Sequence, residues 1–321
     1  MKRCLRIFAI GCAATLLTRP ADAETYPSRP ITIVVGFAAG SGIDVITRLI
    51  GHRLEASLKQ SVVIENKVGA NGGIAATRVA HATPDGYTLL AGGSGTHAAN
   101  PNLFKSISYD PARDFEPISL TGSFVYMLVA HPQVPVKSAV DLIDFAKANP
   151  GKVSYATSNS SGLISAMTFV RWAGIDMNHV PYRTAPPAIN DVLGGRVSMM
   201  FADVTTALPH VRAGALRGLA VMASKRYAGL PDLPSLQELG LSGFSGPSWS
   251  GIFAPAHTPK DIVTVLNTEI RKVVNDSETK AQFAGLGFEA FSSTPLELSN
   301  LAQSDRIRWS QMIKDAHIEP Q

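Results

Sequence analysis

One stretch, residues 31–48 (ITIVVGFAAGSGIDVITR), limits the fold more than any other part of the chain. Ile31, Ile33, Val34 and Val35 form a short β-branched run of the kind buried on both faces of a sheet. Residues 36–42 then turn the chain with small side chains. From Asp44 the pattern is helical, with Val45, Ile46, Leu49 and Ile50 on one side and Thr47, Arg48 and Arg53 on the other. A strand, a small-residue loop and a helix start leave free backbone N–H groups above the loop, where the helix dipole favours a negative charge. Two readings are open: an anion site, or an ordinary strand–turn–helix of an α/β domain.

Motif tests narrow the anion. A phosphate-gripping loop ends in Gly-Lys-Ser/Thr, whereas this one ends Ser41-Gly42-Ile43-Asp44. The dinucleotide pattern G-x-G-x-x-G is missing, because Gly40 and Gly42 are followed by Val45. Asp44 repels a phosphate, but it can receive an ammonium group or simply complement its own helix start. The loop suits a carboxylate better than a nucleotide.

The beginning of the chain sets the expected compartment. Lys2, Arg3 and Arg6 precede an apolar run over 7–17 that is too short to span a bilayer, and Ala21-Asp22-Ala23 is an A-x-A site. We therefore expect a signal peptide over 1–23, cleavage after Ala23 and a periplasmic mature protein. Both cysteines, Cys4 and Cys12, lie in the removed segment, which leaves no disulfide, thiolate or Cys-based metal site. That segment also carries four basic groups and one acidic group. Removing them from 29 Lys+Arg and 25 Asp+Glu leaves 25 against 24. A balance so near neutral, without a Lys/Arg cluster, argues against nucleic-acid or anionic-membrane binding.

No catalytic, metal or cofactor motif emerges. The eight histidines are scattered without H-E-x-x-H. Gly92-Gly93-Ser94-Gly95-Thr96 and Gly246-Pro247-Ser248-Trp249-Ser250 both miss the last Gly of the hydrolase pattern G-x-S-x-G. An exported hydrolase is accordingly the weaker alternative to a binding protein. No cofactor and no enzymatic activity are expected.

Taken in order, the chain alternates strand and helix. Strands are expected at 61–65, 87–91, 124–130, 153–156, 197–201, 216–222 and 249–255, with helices at 74–81, 138–149, 163–173, 259–274, 278–286 and 295–316. This alternation predicts a doubly wound α/β fold with a mainly parallel sheet, whose ligands bind beyond the carboxyl ends of the strands. Residues 92–97 (GGSGTH) form one small-residue exit there, and residues 157–162 (TSNSSG) repeat the first loop in a second half. Two such loops facing each other across a cleft make a small-molecule site. Trp172 is expected in the core, and Trp249 in a hinge or packing role.

Many short motifs in order give the chain a family resemblance. They include residues 26–31 (YPSRPI), 63–67 (VIENK), 84–90 (PDGYTLL), 95–101 (GTHAANP), 180–183 (VPYR), 191–195 (DVLGG) and 207–210 (ALPH). In these the chain closely resembles the Bug family, the substrate-binding proteins of tripartite tricarboxylate transporters, over about 26–320. The resemblance implies a two-lobed, type II-like periplasmic binding protein with two chain crossovers and a ligand cleft between the lobes. Lobe one would be 24–124 plus 248–321, and lobe two 125–247.

The resemblance also implies which residues meet a carboxylate-bearing ligand. From the first loop these are Phe37, Ala38, Ala39, Ser41, Gly42 and Asp44. Ser94, Thr96 and His97 belong to the third-strand exit. Thr157, Ser158, Ser160 and Ser161 belong to the second loop, with Tyr182 and Asp203 nearby. The first loop lacks the Pro and adjacent Gly pair frequent in the family, and Ser165 stands where a His is usual. The implied partners are a small organic acid (di- or tricarboxylate, aromatic carboxylate or amino acid) and membrane transporter subunits, with the protein itself a monomer. A periplasmic sensor would use the same cleft.

Overall fold

A computed structural model describes residues 25–223, 225–241 and 248–320; the expected signal peptide and its cleavage site lie outside them. The first part of the chain runs β1 (Ile31–Val35), α1 (Gly42–Leu58), β2 (Val62–Asn66), α2 (Gly73–Ala80), β3 (Thr88–Gly93), α3 (Asn100–Leu103) and β4 (Phe115–Phe124). The middle runs β5 (Tyr126–Ala130), α4 (Ala139–Ala148), β6 (Ser154–Thr157), α5 (Ser160–Ala173), β7 (Asn178–Pro181), α6 (Ala185–Leu193), β8 (Met199–Asp203), α7 (Val204–Arg212) and β9 (Arg217–Val221). The last part runs β10 (Ser248–Pro255), α8 (Lys260–Asn275), α9 (Ser277–Gly285), β11 (Phe288–Ala290) and α10 (Pro295–Asp315).

The strands form two sheets and hence two lobes. One has the order β11-β4-β10-β3-β1-β2 and the other β7-β6-β8-β5-β9. β1 lies parallel between β2 and β3, which is why its run ITIVV is buried almost throughout. The middle of the chain supplies the whole second sheet, and the first and last parts together build the first.

The sheets are mixed, which corrects the expectation of a mainly parallel sheet. β10 pairs antiparallel with both β3 and β4, and β5 pairs antiparallel with both β8 and β9. In each sheet a strand that has just crossed from the other is reversed, and in the first sheet the edge strand β11 also runs antiparallel to β4. The apolar run expected as one strand over 124–130 is in fact a crossover. Phe124 ends β4 in the first sheet, and Tyr126 opens β5 in the second. A chain that leaves one sheet and enters another with a single residue between cannot make the long helical return that parallel pairing needs. Sequence reading also passed over β4, β7 and β11. β4 carries Pro117 and Gly122 within its ten residues, and both are poor strand formers.

Packing agrees with the patterns. α1 buries Ile46, Ile50, Leu54 and Leu58, spaced four apart. Each fully buried side chain of this size contributes about 1.5–3 kcal/mol. α10 opens with a capping box from Thr294 and Glu297 around Pro295. It then turns Leu298, Asp305, Trp309 and Ile313 inward. Its end reaches the other lobe, where Trp309 and Ile313 share a cluster with Ile164 of α5 and with Ala98 and Ala99. Trp172 departs from expectation: it is 39% exposed, because Phe169 takes the inward position on α5 and the Trp172 ring only leans against it.

Candidate functional site

Four strands deliver the site. β1, β3, β6 and β8 all end at one cavity between the lobes, and the last residue of β8 and the segments after the other three supply polar groups to it. The cavity encloses about 60 Å³, against the ~10–15 Å³ that holds one water.

Two loops of the first lobe meet without side chains between them. A Cβ on Gly36 would fall 2.4 Å from Gly72 Cα, so only glycine lets the β1 exit touch the loop before α2. Beside this contact α1 begins at Gly42, with Ser41 as an N-cap whose side chain makes no capping hydrogen bond. Ser41 Oγ is buried, unpartnered and part of the cavity wall. Ser94 also lines the cavity, accepting the Trp249 N–H at 2.9 Å and so tying the β3 exit to β10, the strand that returns from the other lobe. Thr96 Oγ1 accepts the Gly93 N–H at 3.1 Å, which holds a single π-type turn over Gly95–Ala99.

The second lobe contributes the start of α5. Asn159 caps it, its Oδ1 accepting the Gly162 N–H at 2.8 Å and the Tyr126 hydroxyl at 3.0 Å. Ser160 and Ser161 form the first turn and line the cavity. The Ser160 N–H donates across the cleft to Asn71 Oδ1 at 3.2 Å, a direct bond between the lobes. Asp203, at the end of β8, caps α7 by accepting the Thr206 N–H at 2.8 Å.

The electrostatics of the wall are simple. Among the described residues, no Lys, Arg or His lines the cavity, and its one carboxyl is that of Asp203. Burial pushes Asp203 above the usual carboxylate range, and the hydrogen bonds from Thr206 only partly oppose this. Burial likewise raises the Tyr126 phenol, helped by the nearby Asp203 charge. The positive potential of the wall comes instead from the N-termini of α1 and α5, which enter from opposite lobes.

A family model described as "Tripartite tricarboxylate transporter family receptor" matches residues 46–318. The chain belongs to this family. BugT of Bordetella pertussis (strain Tohama I) is 32% identical over 318 residues, covering 98% of this chain and 98% of BugT. Rpa4515 of R. palustris, solved with adipate, superposes with a TM-score of 0.90 at 34% identity over 92% of this chain and all of that one. MatC of Rhodopseudomonas palustris, solved with bound malate, gives a TM-score of 0.83 at 33% identity over 90% of this chain and all of that one. The two-lobed fold described above is shared with the periplasmic binding protein BugD, at a TM-score of 0.88 and 32% identity over 92% of this chain and all of that one.

Within this tricarboxylate-receptor fold, the sequence-derived residues divide. Phe37, Ser41, Gly42, Ser94, Thr96, Ser160, Ser161 and Asp203 line the cavity. The other seven do not. Ala38 and Ala39 form the outer turn of the first loop, closed by the Ser41 N–H on Ala38 O. Asp44 is turned back on its own lobe: it accepts the Gly40 N–H, Arg48 Nε and Asn66 Nδ2, the first and last at 2.9 and 2.8 Å. Burial alone would raise this carboxyl, but those bonds outweigh it and hold it below its ordinary range. Thr157 Oγ1 pairs with His179 Nε2 at 2.7 Å, and the Tyr182 hydroxyl donates to Asp191. Ser158 is buried but outside the wall.

His97 faces away from the cleft. Its ring stacks on Phe253 at 3.8 Å, meets Phe115 edge-on and reaches Thr96 Oγ1 through Nδ1. Burial lowers its pKa from 6.5 to about 3, so the folded protein holds the ring neutral. In the unfolded chain the ring takes up a proton below pH 6.5. The stability it contributes is therefore full above pH 6.5 and is lost as pH falls towards 3. A His97→Phe variant will lose about 2 kcal/mol less stability than the parent between pH 7.5 and pH 5, measured by urea unfolding at each pH. Parallel losses in the two proteins would show that His97 does not carry this sensitivity.

Asn71, Tyr126 and Asn159 were missed by sequence reading, although all three line the cavity. Asn71 had a signal, since it sits in the small-residue run Gly69-Ala70-Asn71-Gly72-Gly73 and adopts a left-handed φ of 49°. Tyr126 had none, because within FVYMLVA it reads as core.

Proposed function

We propose that this protein is an extracytoplasmic receptor that captures a small carboxylate-bearing metabolite between its lobes and presents the closed form to a membrane transporter. The observation that carries the reading is the pair of helix N-termini from opposite lobes, α1 and α5, on a cavity wall that holds no cationic side chain among the described residues. Such a wall binds a carboxylate through N–H and hydroxyl donors, and both lobes are needed to complete the set. The relatives solved with adipate and malate support the ligand class.

In this reading lobe one is 24–124 plus 248–321, lobe two is 125–247, and the mature chain starts at Glu24 in the periplasm. Ser41, Gly42, Ser94, Thr96, Ser160 and Ser161 supply the grip, with Asn71, Tyr126 and Asn159 completing it. Phe37 forms an apolar side of the pocket. Binding stabilises the closed form by the contacts that exist only there, and no step of chemistry is required.

A thermal-shift panel of di- and tricarboxylates, aromatic carboxylates, amino acids and neutral controls tests this. One class of acid will raise the melting temperature, because a solute at 100 times its Kd adds about 2.7 kcal/mol to the folded state. No response to any acid, from protein shown to be folded and free of bound solute, would refute the reading.

A further inference from the structure

Among the described residues, Asp203 is the one charged group of the cavity wall, and no cationic side chain shares that wall. It is 5% exposed. Its Oδ1 accepts the Thr206 N–H at 2.8 Å and approaches the Thr206 hydroxyl at 2.9 Å. Oδ2 approaches that same hydroxyl at 3.0 Å, and a hydroxyl has one proton to give; the other donor acting on this carboxylate is the backbone N–H of Asp203 itself. The carboxylate therefore keeps unused acceptor capacity on its cavity side. Tyr126 lies opposite it in the β5–β8 ladder, with its hydroxyl directed to Asn159, and Gly42 approaches from the other lobe. None of these brings a positive charge.

Asp44 shows what a structural acid looks like in this protein. It lies at the same end of α1 and is equally buried, yet its oxygens are filled by Arg48, Asn66 and the Gly40 N–H. Asp203 has nothing equivalent. A buried carboxylate without a cationic partner costs several kcal/mol. A capping role alone does not require that cost, since Ser or Asn caps a helix as well as Asp does.

We propose that the solute carries a protonated amine beside its carboxylate, and that Asp203 receives the amine and makes the cleft selective for it. This rests on the capture of a carboxylate proposed above. The carboxylate takes the N–H groups at the starts of α1 and α5, and the ammonium takes the cavity side of Asp203. A solute with carboxylates alone brings a second negative charge into the same small space, where like charges repel strongly. A zwitterion removes that repulsion and supplies Asp203 with its missing cation. The ammonium role that the sequence allowed Asp44 passes to Asp203.

The experiment is calorimetric titration of the whole mature protein with pairs of acids that differ only by the amine: succinate and aspartate, glutarate and glutamate, adipate and 2-aminoadipate. In the pair whose length fits, the amine-bearing member will bind about 10- to 100-fold more tightly than its twin. Asp203→Asn keeps the Oδ1 acceptor for Thr206 and will abolish that preference, bringing the ratio of the two affinities close to one. Asp203→Ser, which also caps, will behave in the same way. Melting curves within a few degrees of the parent will show that both variants are folded. Equal binding of both twins, or an unchanged preference in folded Asp203→Asn, overturns the role of Asp203 and leaves carboxylate capture intact. Failure of every acid, with and without an amine, overturns both.

Discussion

A Gly42→Val protein will fold and will fail to hold a solute. Gly42 is the first residue of α1, and its φ is not in the left-handed region, so its own backbone accepts a side chain. What it lacks is room across the cleft. A Cβ there would fall 2.5 Å from Asp203 Oδ1 and 3.0 Å from Asp203 Cγ, with Phe124 at 3.1 Å. Swinging Asp203 aside breaks its cap on α7, a loss of about 1 kcal/mol, and the two further methyls of valine need more space still. Moving the lobes apart relieves the clash with Asp203, so the cost falls on the closed form and spares the fold. Apparent affinity scales with the fraction of molecules able to close. The expected loss is at least ~100-fold, or about 2.7 kcal/mol, with a melting temperature near that of the parent. Calorimetry measures the affinity, and small-angle scattering with saturating solute reports the absence of compaction. Parent-like affinity in Gly42→Val would show that the cleft does not close on its ligand as proposed.

Asp305→Ala will be the most destabilising single change considered. Asp305 is 2% exposed on the inner face of α10, and its oxygens accept Trp249 Nε1 at 2.7 Å, Trp309 Nε1 at 3.1 Å and Arg308 Nε at 2.7 Å. Truncation leaves two indole N–H groups unpaired among apolar neighbours and removes the acid beside Arg308. Losing one side of such a buried network costs about 3–5 kcal/mol. At the ~2–4 °C per kcal/mol typical of domains of 150–250 residues, the midpoint should fall by about 10 °C in a circular-dichroism melt. Asp305→Asn keeps one acceptor and should lose roughly half as much. A loss below ~1 kcal/mol in Asp305→Ala would mean that water satisfies the indoles. The change also reaches the cleft, because Trp249 belongs to the cavity wall and its backbone N–H holds Ser94.

The division between what was legible and what was not runs through individual residues. Residues 31–48 read correctly as strand, small-residue loop and helix, because that pattern depends on neighbours within a few positions. Ser41 and Gly42 came with it, as did Ser160 and Ser161 from the second loop. His97 looked like its neighbours Ser94 and Thr96, yet its ring lies on Phe253, a residue more than 150 positions later. No local pattern contains that contact. Trp172 read as core from helical spacing, and only the position of Phe169 shows that it is displaced outward.

By itself the sequence determined the family, the α/β class, and the two Gly/Ser-rich loops that bring helix starts to a shared cleft. Periodicity, loop chemistry and helix dipoles are local properties, and local residues suffice to set them. Only the tertiary structure decided the strand directions, the crossover at Val125, and which polar groups reach the cavity. Asp44 and Asp203 make the difference plain. Both are acids in the first turn or cap of a helix, and nothing in their immediate sequence separates them. Asn66, 22 residues away, helps to fill the oxygens of Asp44, whereas among the described residues no cation joins Asp203 on the cavity wall. The charge available to a ligand is what remains after the fold has paired the rest, and that pairing is set by contacts distant in the chain.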